Sequence, residues 1–119
     1  MAIFRKNRYY IKLFVNQIEI KDLINGKTIA EKSLTEFNNQ RLLIADFGIA
    51  EKFVKGTFNK FGFSTRNAIG IIQQMEMTEG GLSEVEKRVL LELFTVVGLS
   101  QVHIVEGILN LSEKQLSEY

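Results

Sequence analysis

Apolar and polar residues alternate along the first quarter of the chain, which predicts β-strands. A first strand is expected over about 9–15, followed by a turn at Asn16-Gln17. The alternation resumes over 18–23 as a second strand. Asn25-Gly26 then predicts a type I′ hairpin turn, because both residue types tolerate positive φ. Residues 27–33 return as a third strand, so the chain opens with an antiparallel meander.

From residue 46 onward, apolar residues recur at helical spacing in two segments. Asp46 can cap a helix over 47–61, which Gly62 ends. Ser83 and Glu86 have the spacing of a capping box, which opens a second helix over 83–97. Both helices are therefore predicted from a start signal, an apolar stripe and a glycine stop.

Two further strands and a terminal helical piece complete the predicted order βββαβαβ. The strands cover about 67–77 and 101–105, and a capping box at Ser112 opens the helical piece over 112–119. Right-handed crossovers then give an α/β fold with a five-stranded mixed sheet, strand order 3-2-1-4-5, and both long helices on one face. We expect one domain over 9–119, preceded by a basic segment over 1–8.

The other face of this predicted sheet has only the short terminal helix to cover it. Apolar side chains left exposed there would favour association with a second protein surface. We therefore predict self-association, as a homodimer or with a related protein, through this face. The expected interface residues lie on the fourth strand and the terminal helix: Ile69, Ile71, Met75, Met77, Leu116 and Tyr119.

Composition excludes several classes of chemistry. The 119 residues contain no cysteine and one histidine, which excludes thiolate metal sites, a cysteine nucleophile and a multi-histidine centre. Asp22 and Asp46 are the only aspartates, and Asp46 is better explained as a helix cap. His103 lies in an apolar strand, where a structural role is the default and a catalytic base the minority interpretation. No catalytic, cofactor-binding or metal-binding residue is assigned.

Charge is distributed unevenly along the chain. Residues 1–66 carry twelve Lys/Arg against six Asp/Glu, a net +6, and residues 67–119 carry three against eight, a net −5. No apolar run has the length of a membrane span, so the default location is cytoplasmic.

The basic amino terminus has three interpretations. A solvated terminus is the first of them. Peripheral contact with the anionic inner face of the membrane is the second, and nucleic-acid binding is the third and least favoured. The membrane-contact candidates are Ile3, Phe4, Arg5, Lys6 and Arg8.

Three segments carry a family resemblance. Residues 44–53, with the sequence IADFGIAEKF, are similar to the stretch that enters the first helix of bacterial actins of the MreB family. Glu86 to Val89 and Gly98 to Glu106 resemble that family's second helix, glycine break and fifth strand. The resemblance implies an actin-like, ribonuclease-H-like fold, of which this chain would form subdomain IA only.

The departures from that family concern nucleotide binding. Lys12 and Phe14 stand where the family's phosphate loop has an acid and a glycine, so the resemblance implies loss of nucleotide chemistry and no cofactor. We therefore expect a non-catalytic interaction protein in cell-shape or cytoskeletal assembly, which associates with itself or with a full-length actin-like relative. The alternative is a small ribonuclease-H-like enzyme or nucleic-acid-binding protein, which would need clustered carboxylates.

Overall fold

Five strands and three helices follow one another in the predicted order. The structure is a computed structural model that describes residues 7–119. The sheet order is β3-β2-β1-β4-β5, in which β1 pairs with β4 and β4 with β5 in parallel, and the meander pairs are antiparallel. The elements are β1 (Asn7–Phe14), β2 (Gln17–Asp22), β3 (Thr28–Lys32), α1 (Phe47–Lys60), β4 (Ala68–Gln74), α2 (Glu84–Val97), β5 (Gln101–Val105) and α3 (Glu113–Ser117). The predicted α/β class and strand order are confirmed.

Both long helices pack on one face of the sheet, as expected for crossovers that advance in the same direction. The alternation of the strands places every second side chain of β1, β2 and β4 on this face. These side chains meet the apolar stripes of α1 and α2, so the main core forms here. Its fully buried members include Tyr9, Ile11, Leu13, Ile18, Ile20, Val54, Phe58, Ile72, Leu90, Leu93 and Phe94.

The predicted helix starts are confirmed by their caps. Asp46 accepts a hydrogen bond from the Ile49 N–H at 3.0 Å. Ser83 and Glu86 form the reciprocal capping box that opens α2, with bonds of 3.1 and 2.9 Å. Ser112 forms a second capping box, which opens α3. Each cap satisfies backbone donors that the first turn leaves without partners.

The hairpin between β2 and β3 differs from the predicted type I′ turn. Gly26 has a positive φ of 81°, but Asn25 does not. The Asp22 carboxylate accepts hydrogen bonds from the N–H groups of Ile24 and Asn25 at 2.9 and 3.4 Å. These bonds hold the loop in a longer turn, in which only its last residue needs the left-handed conformation.

Two strand boundaries also differ from the sequence prediction. β1 begins at Asn7, so the predicted domain start at residue 9 is two residues late. β4 ends at Gln74, three residues before the predicted end, and Met77 beyond it has a positive φ of 59°, which a strand residue does not adopt. Met77 therefore leaves the face of Ile71 and packs against the core on the helix side.

The second face of the sheet is covered by the C-terminal segment, residues 106–119, which we call the C-terminal cover. Leu116 packs on Tyr10 and Ile71, with Leu111 beside them. The buried Gln73 amide donates to the carbonyl groups of Gly107 and Leu109 at 2.8 and 2.9 Å. The Gln73 side-chain oxygen also accepts a hydrogen bond from the Tyr10 hydroxyl. That hydroxyl in turn accepts a hydrogen bond from the Leu111 N–H at 3.2 Å.

This cover corrects the predicted interface on the second face. Ile69, Ile71 and Leu116 are buried within the chain, at 6%, 0% and 5% exposure, so they offer no surface to a second molecule. Met75 is half-buried, and Tyr119 is 40% exposed. The expectation of an open apolar face was wrong because the C-terminal cover docks on it through Leu116 and through hydrogen bonds to the buried Gln73 and Tyr10 side chains.

The uncovered part of the second face, over β2 and β3, is polar. Lys12 pairs with Glu19 across the β1–β2 ladder at 3.4 Å, and Lys21 and Lys32 lie farther out. Burying this surface in a dimer would release little hydrophobic free energy, because most of its side chains are charged or small.

We predict that Leu116→Ala destabilises the fold by about 2–4 kcal/mol, because it removes the main apolar contact of the C-terminal cover. Leu109→Ala is the matched control, since Leu109 is 82% exposed and its substitution should change stability by less than about 0.5 kcal/mol. Urea unfolding of both variants measures the difference. Equal effects would mean that the cover does not dock as described.

We predict that the fold weakens at alkaline pH through Tyr9. Its buried hydroxyl donates to the Ser64 carbonyl at 2.7 Å, and burial, with the Asp22 carboxylate second, raises the pKa of Tyr9 to about 12. Because the folded pKa is raised, the stabilisation is complete below about pH 10 and is lost as the pH rises toward 12. Urea midpoints between pH 8 and 11.5 should fall less steeply in Tyr9→Phe than in the natural protein, and identical slopes would contradict the assignment.

Candidate functional site

The carboxyl ends of β1 and β4 form the position at which open α/β sheets usually bind ligands, because the chain leaves these two parallel strands toward opposite sides. In this protein the chain itself fills that position. The Val15 N–H donates to the Glu76 carboxylate at 2.8 Å. The buried Gln74 amide donates to the carbonyl groups of Glu76 and Met77 at 3.0 and 3.4 Å. These contacts place side chains and carbonyl groups of the chain itself at the two strand ends.

The long loop between β3 and α1 closes the same end of the sheet. Asn16, in the turn between β1 and β2, accepts a hydrogen bond from the Phe37 N–H and donates one to the Asn38 side chain, both at 2.8 Å. Leu43 and Ile44 then pack near Gln74, leaving a cavity of about 40 Å³. That volume suits a water molecule or two and is far below that of a small-molecule site.

The polar residues considered for catalysis lie apart from one another. His103 lies on the second face, with its ring centroid 5.1 Å from that of Tyr119. Asp22 belongs to the β2–β3 hairpin and Asp46 to the start of α1. Among residues 7–119, no three His, Cys, Asp or Glu side chains come together as a metal site would require.

Lys12 and Phe14 continue β1 where the resemblance to bacterial actins would place a phosphate loop. Phe14 pairs with Gln17, and only Val15 and Asn16 separate the two strands. The Lys12 ammonium lies over the Tyr10 ring at 5.1 Å and pairs with Glu19. A two-residue turn of this kind has no run of free backbone N–H groups for a phosphate.

The predicted membrane-contact residues fall mostly outside the described part of the chain. Ile3, Phe4, Arg5 and Lys6 lie in residues 1–6, and their role stays a prediction. Arg8 belongs to β1, and its guanidinium donates to the carbonyl groups of Leu116 and Tyr119 at 2.5 and 3.1 Å. Arg8 therefore anchors the C-terminal cover, and its assignment to a free N-terminal segment was wrong. In residues 7–119, no helix combines the length and the apolar character that crossing a membrane requires.

A groove runs between β3, at one edge of the sheet, and α1. We call it the β3–α1 groove, and its volume is about 620 Å³. Glu31 meets Lys60, and Phe37 stacks on Phe53 with ring centroids 5.7 Å apart. The edge and the helix therefore run antiparallel. The groove is lined by Glu31, Lys32, Ser33, Leu34, Thr35, Ile49, Lys52, Phe53, Gly56, Thr57 and Lys60.

The two ends of the β3–α1 groove differ in character. The apolar end has the fully exposed Leu34, which follows β3, beside the half-buried Ile49 and Phe53 of α1. The basic end has Lys60, which pairs with Glu31 at 2.5 Å, and Lys27 lies beyond it against the Phe61 ring at 5.8 Å. A single exposed apolar side chain is ordinary on a protein surface, so Leu34 matters here only because it lies at the end of the groove beside Ile49 and Phe53.

Gly56 opens the middle of the groove wall. A glycine inside a helix costs about 1 kcal/mol relative to alanine, so it needs a reason. Its φ is not positive, and a Cβ built at this position meets no atom within 4 Å. The fold of residues 7–119 therefore shows no steric need for this glycine, and its place in the groove wall leaves that space open.

Sequence reasoning missed the β3–α1 groove because it treated α1 only as a core helix. Two signals were present: Gly56 interrupts a helix of otherwise ordinary composition, and Leu34 is an apolar residue in a polar loop. Neither signal predicts the groove by itself, because β3 lies beside α1 only in the assembled strand order.

We predict that Gly56→Ala stabilises the fold by about 1 kcal/mol, because alanine is the better helix former and the space beside it is empty. Gly70→Ala is the matched control. Its Cβ would lie 2.4 Å from Cδ1 of Leu99, so it should destabilise the core. Urea midpoints at constant slope measure both changes. A less stable Gly56→Ala would mean that α1 itself requires the glycine.

Comparison with known proteins adds a relative of similar length. No protein-family model matches the chain. The chain is 36% identical over 107 residues to the uncharacterized protein YjaA of Escherichia coli strain K12, and the alignment covers 80% of this chain and 82% of YjaA. The two sequences therefore correspond over most of a domain.

Proposed function

The chain belongs to the YjaA family, and we propose that it is a non-catalytic interaction protein that binds a protein partner in the β3–α1 groove. The observation that carries this proposal is the open groove beside β3, a sheet edge that no strand of residues 7–119 pairs, with Gly56 in the groove wall. Support for the absence of catalysis comes from the carboxyl ends of β1 and β4, where Gln74 and Glu76 occupy the usual ligand position.

We further propose an actin-like, ribonuclease-H-like assignment for the sheet and a full-length bacterial actin of the MreB family as the partner. The support is the order βββαβαβ together with the resemblance of residues 44–53 and 98–106 to that family. The proposed role is assembly of the cytoskeleton that determines cell shape. A second copy of the chain is the less favoured partner for the same groove, and its support is the opposite charge of the two halves of the chain.

The ribonuclease-H-like enzyme alternative has no specific observation in its favour. Such chemistry uses converging carboxylates that hold two metal ions about 4 Å apart. Within residues 7–119, Asp22 and Asp46 each bond to backbone N–H groups of their own turn or helix. Hydrolysis of an RNA–DNA hybrid in the presence of magnesium or manganese would nevertheless revive this alternative and overturn the proposal.

We predict that the purified chain co-sediments saturably with polymerised MreB-family actin, and that Gly56→Leu reduces its affinity at least about tenfold by filling the groove. Arg88→Leu is the matched control, because it adds an exposed leucine to α2, away from the groove, at a side chain that is 79% exposed. It should bind like the natural protein. The proposal fails if the natural protein does not co-sediment, or if Gly56→Leu binds as well as Arg88→Leu.

A further inference from the structure

Within residues 7–119, the backbone along the outer edge of β3 has a regular pattern of groups without a strand partner. In antiparallel strands, alternate residues exchange hydrogen bonds with the neighbouring strand. The bonds from Asp22 N–H to the Lys27 carbonyl and from Ser33 N–H to the Asn16 carbonyl, both 2.8 Å, fix which residues face β2. The intervening bonded pairs involve Ile29 and Glu31. The N–H and C=O groups of three residues therefore point away from the sheet, at Thr28, Ala30 and Lys32.

We propose that the β3–α1 groove binds an extended segment of acidic and apolar residues, which pairs with β3 as a sixth strand. This inference rests on the proposed function, because it names the chemistry of the segment that a protein partner supplies. The outward groups at Thr28, Ala30 and Lys32 form its backbone hydrogen bonds, and every second side chain of the segment enters the groove.

Charge selects the acidic occupant. Lys52 and Lys60 line the groove on α1, and Lys32 borders it from β3 with its side chain on the second face. The single acid is Glu31, which Lys60 already pairs. Three positive charges against one negative charge give the groove a net charge of +2. Acidic side chains gain from this field, and their binding weakens with salt.

The same charge disfavours two other occupants. A second copy that pairs through its own β3 would satisfy the backbone with Ala30 opposite Ala30, but it would join two lysine-lined grooves of like charge. The amino-terminal residues of this chain carry Arg5 and Lys6, which have the same sign as the groove. A partner segment of opposite sign is the occupant that both the backbone and the charges fit.

The two ends of the groove determine where the bound segment carries apolar side chains and where it carries acidic ones. Leu34, Ile49 and Phe53 accept apolar side chains at the end where β3 stops. Lys60 and Lys27 attract acidic side chains at the end where β3 begins. Gly56, between the two ends, leaves room for the segment to approach α1 closely.

Defined peptides test this recognition directly. The probes are three fluorescent octapeptides in which alternate positions carry valine in one half and glutamate, glutamine or lysine in the other half, with threonine between them. Each is made in both orders, and polarization measures its binding to the full chain. We expect saturable binding of the glutamate peptide, at least about tenfold weaker binding of the glutamine peptide, and none of the lysine peptide. Raising sodium chloride from about 0.05 M to about 0.5 M should weaken the glutamate peptide most.

Three variants connect that binding to the groove. Gly56→Leu should weaken the glutamate peptide at least about tenfold while Arg88→Leu leaves it unchanged, and the melting temperature of each variant is measured alongside. Lys52→Glu should weaken the glutamate peptide and strengthen the lysine peptide. Ala30→Pro removes one outward N–H, which an edge strand tolerates, and should weaken all binding. If Ala30→Pro unfolds the chain, the Gly56 and Lys52 variants still decide the result.

Several outcomes would overturn the inference. Equal affinity for the three peptides, or no binding of the glutamate peptide, contradicts the acidic preference. Displacement of the glutamate peptide by a single-stranded oligonucleotide of comparable length would assign the groove to nucleic acid instead.

Failure of this inference can be distinguished from failure of the proposed function. If Gly56→Leu abolishes actin co-sedimentation but the glutamate peptide does not bind, the proposed cytoskeletal role is supported and the proposed chemistry of the segment is wrong. If the glutamate peptide binds but the chain does not co-sediment with actin, the groove is supported as a peptide-binding site and the proposed cytoskeletal partner is wrong.

Discussion

The parallel pairing of β1 with β4 is the constraint on which the rest of the structure depends. It adds each later strand on one side of the opening meander, so β3 remains at the opposite edge of the sheet. It also sends both crossovers in the same direction, which places α1 and α2 on one face. The second face then requires separate cover, and the edge beside α1 stays open. The buried face and the open groove thus have the same origin.

The sequence predicts the features that depend on local signals. Asp46 and the Ser83–Glu86 pair identify helix starts because a cap involves only a few neighbouring residues. The C-terminal cover was missed because it depends on contacts between distant residues: Gln73 with Gly107 and Leu109, and Tyr10 with Leu111. A glutamine on a strand suggests an exposed position, and only the folded chain shows that its amide is fully bonded.

The candidate site depends still more on the assembled fold. Gly56 and Leu34 are visible in the sequence, but they become neighbours of one groove only after β3 takes the edge of the sheet. The usual ligand position of an α/β sheet, in contrast, is closed by Gln74 and Glu76. The groove that we propose for binding therefore lies at a sheet edge rather than at the strand ends. A sheet edge suits recognition of another polypeptide, since its unpaired groups match a peptide backbone.

Residue-resolved amide hydrogen exchange, measured on the chain alone and with its bound partner, tests the central claim most directly. The outward N–H groups of Thr28, Ala30 and Lys32 should exchange rapidly in the free chain and become protected on binding. Those of Ile29 and Glu31 face β2 and should be protected in both states. Protection that appears instead at β5 or in the C-terminal cover, with the three β3 amides unchanged, would contradict docking at the β3–α1 groove.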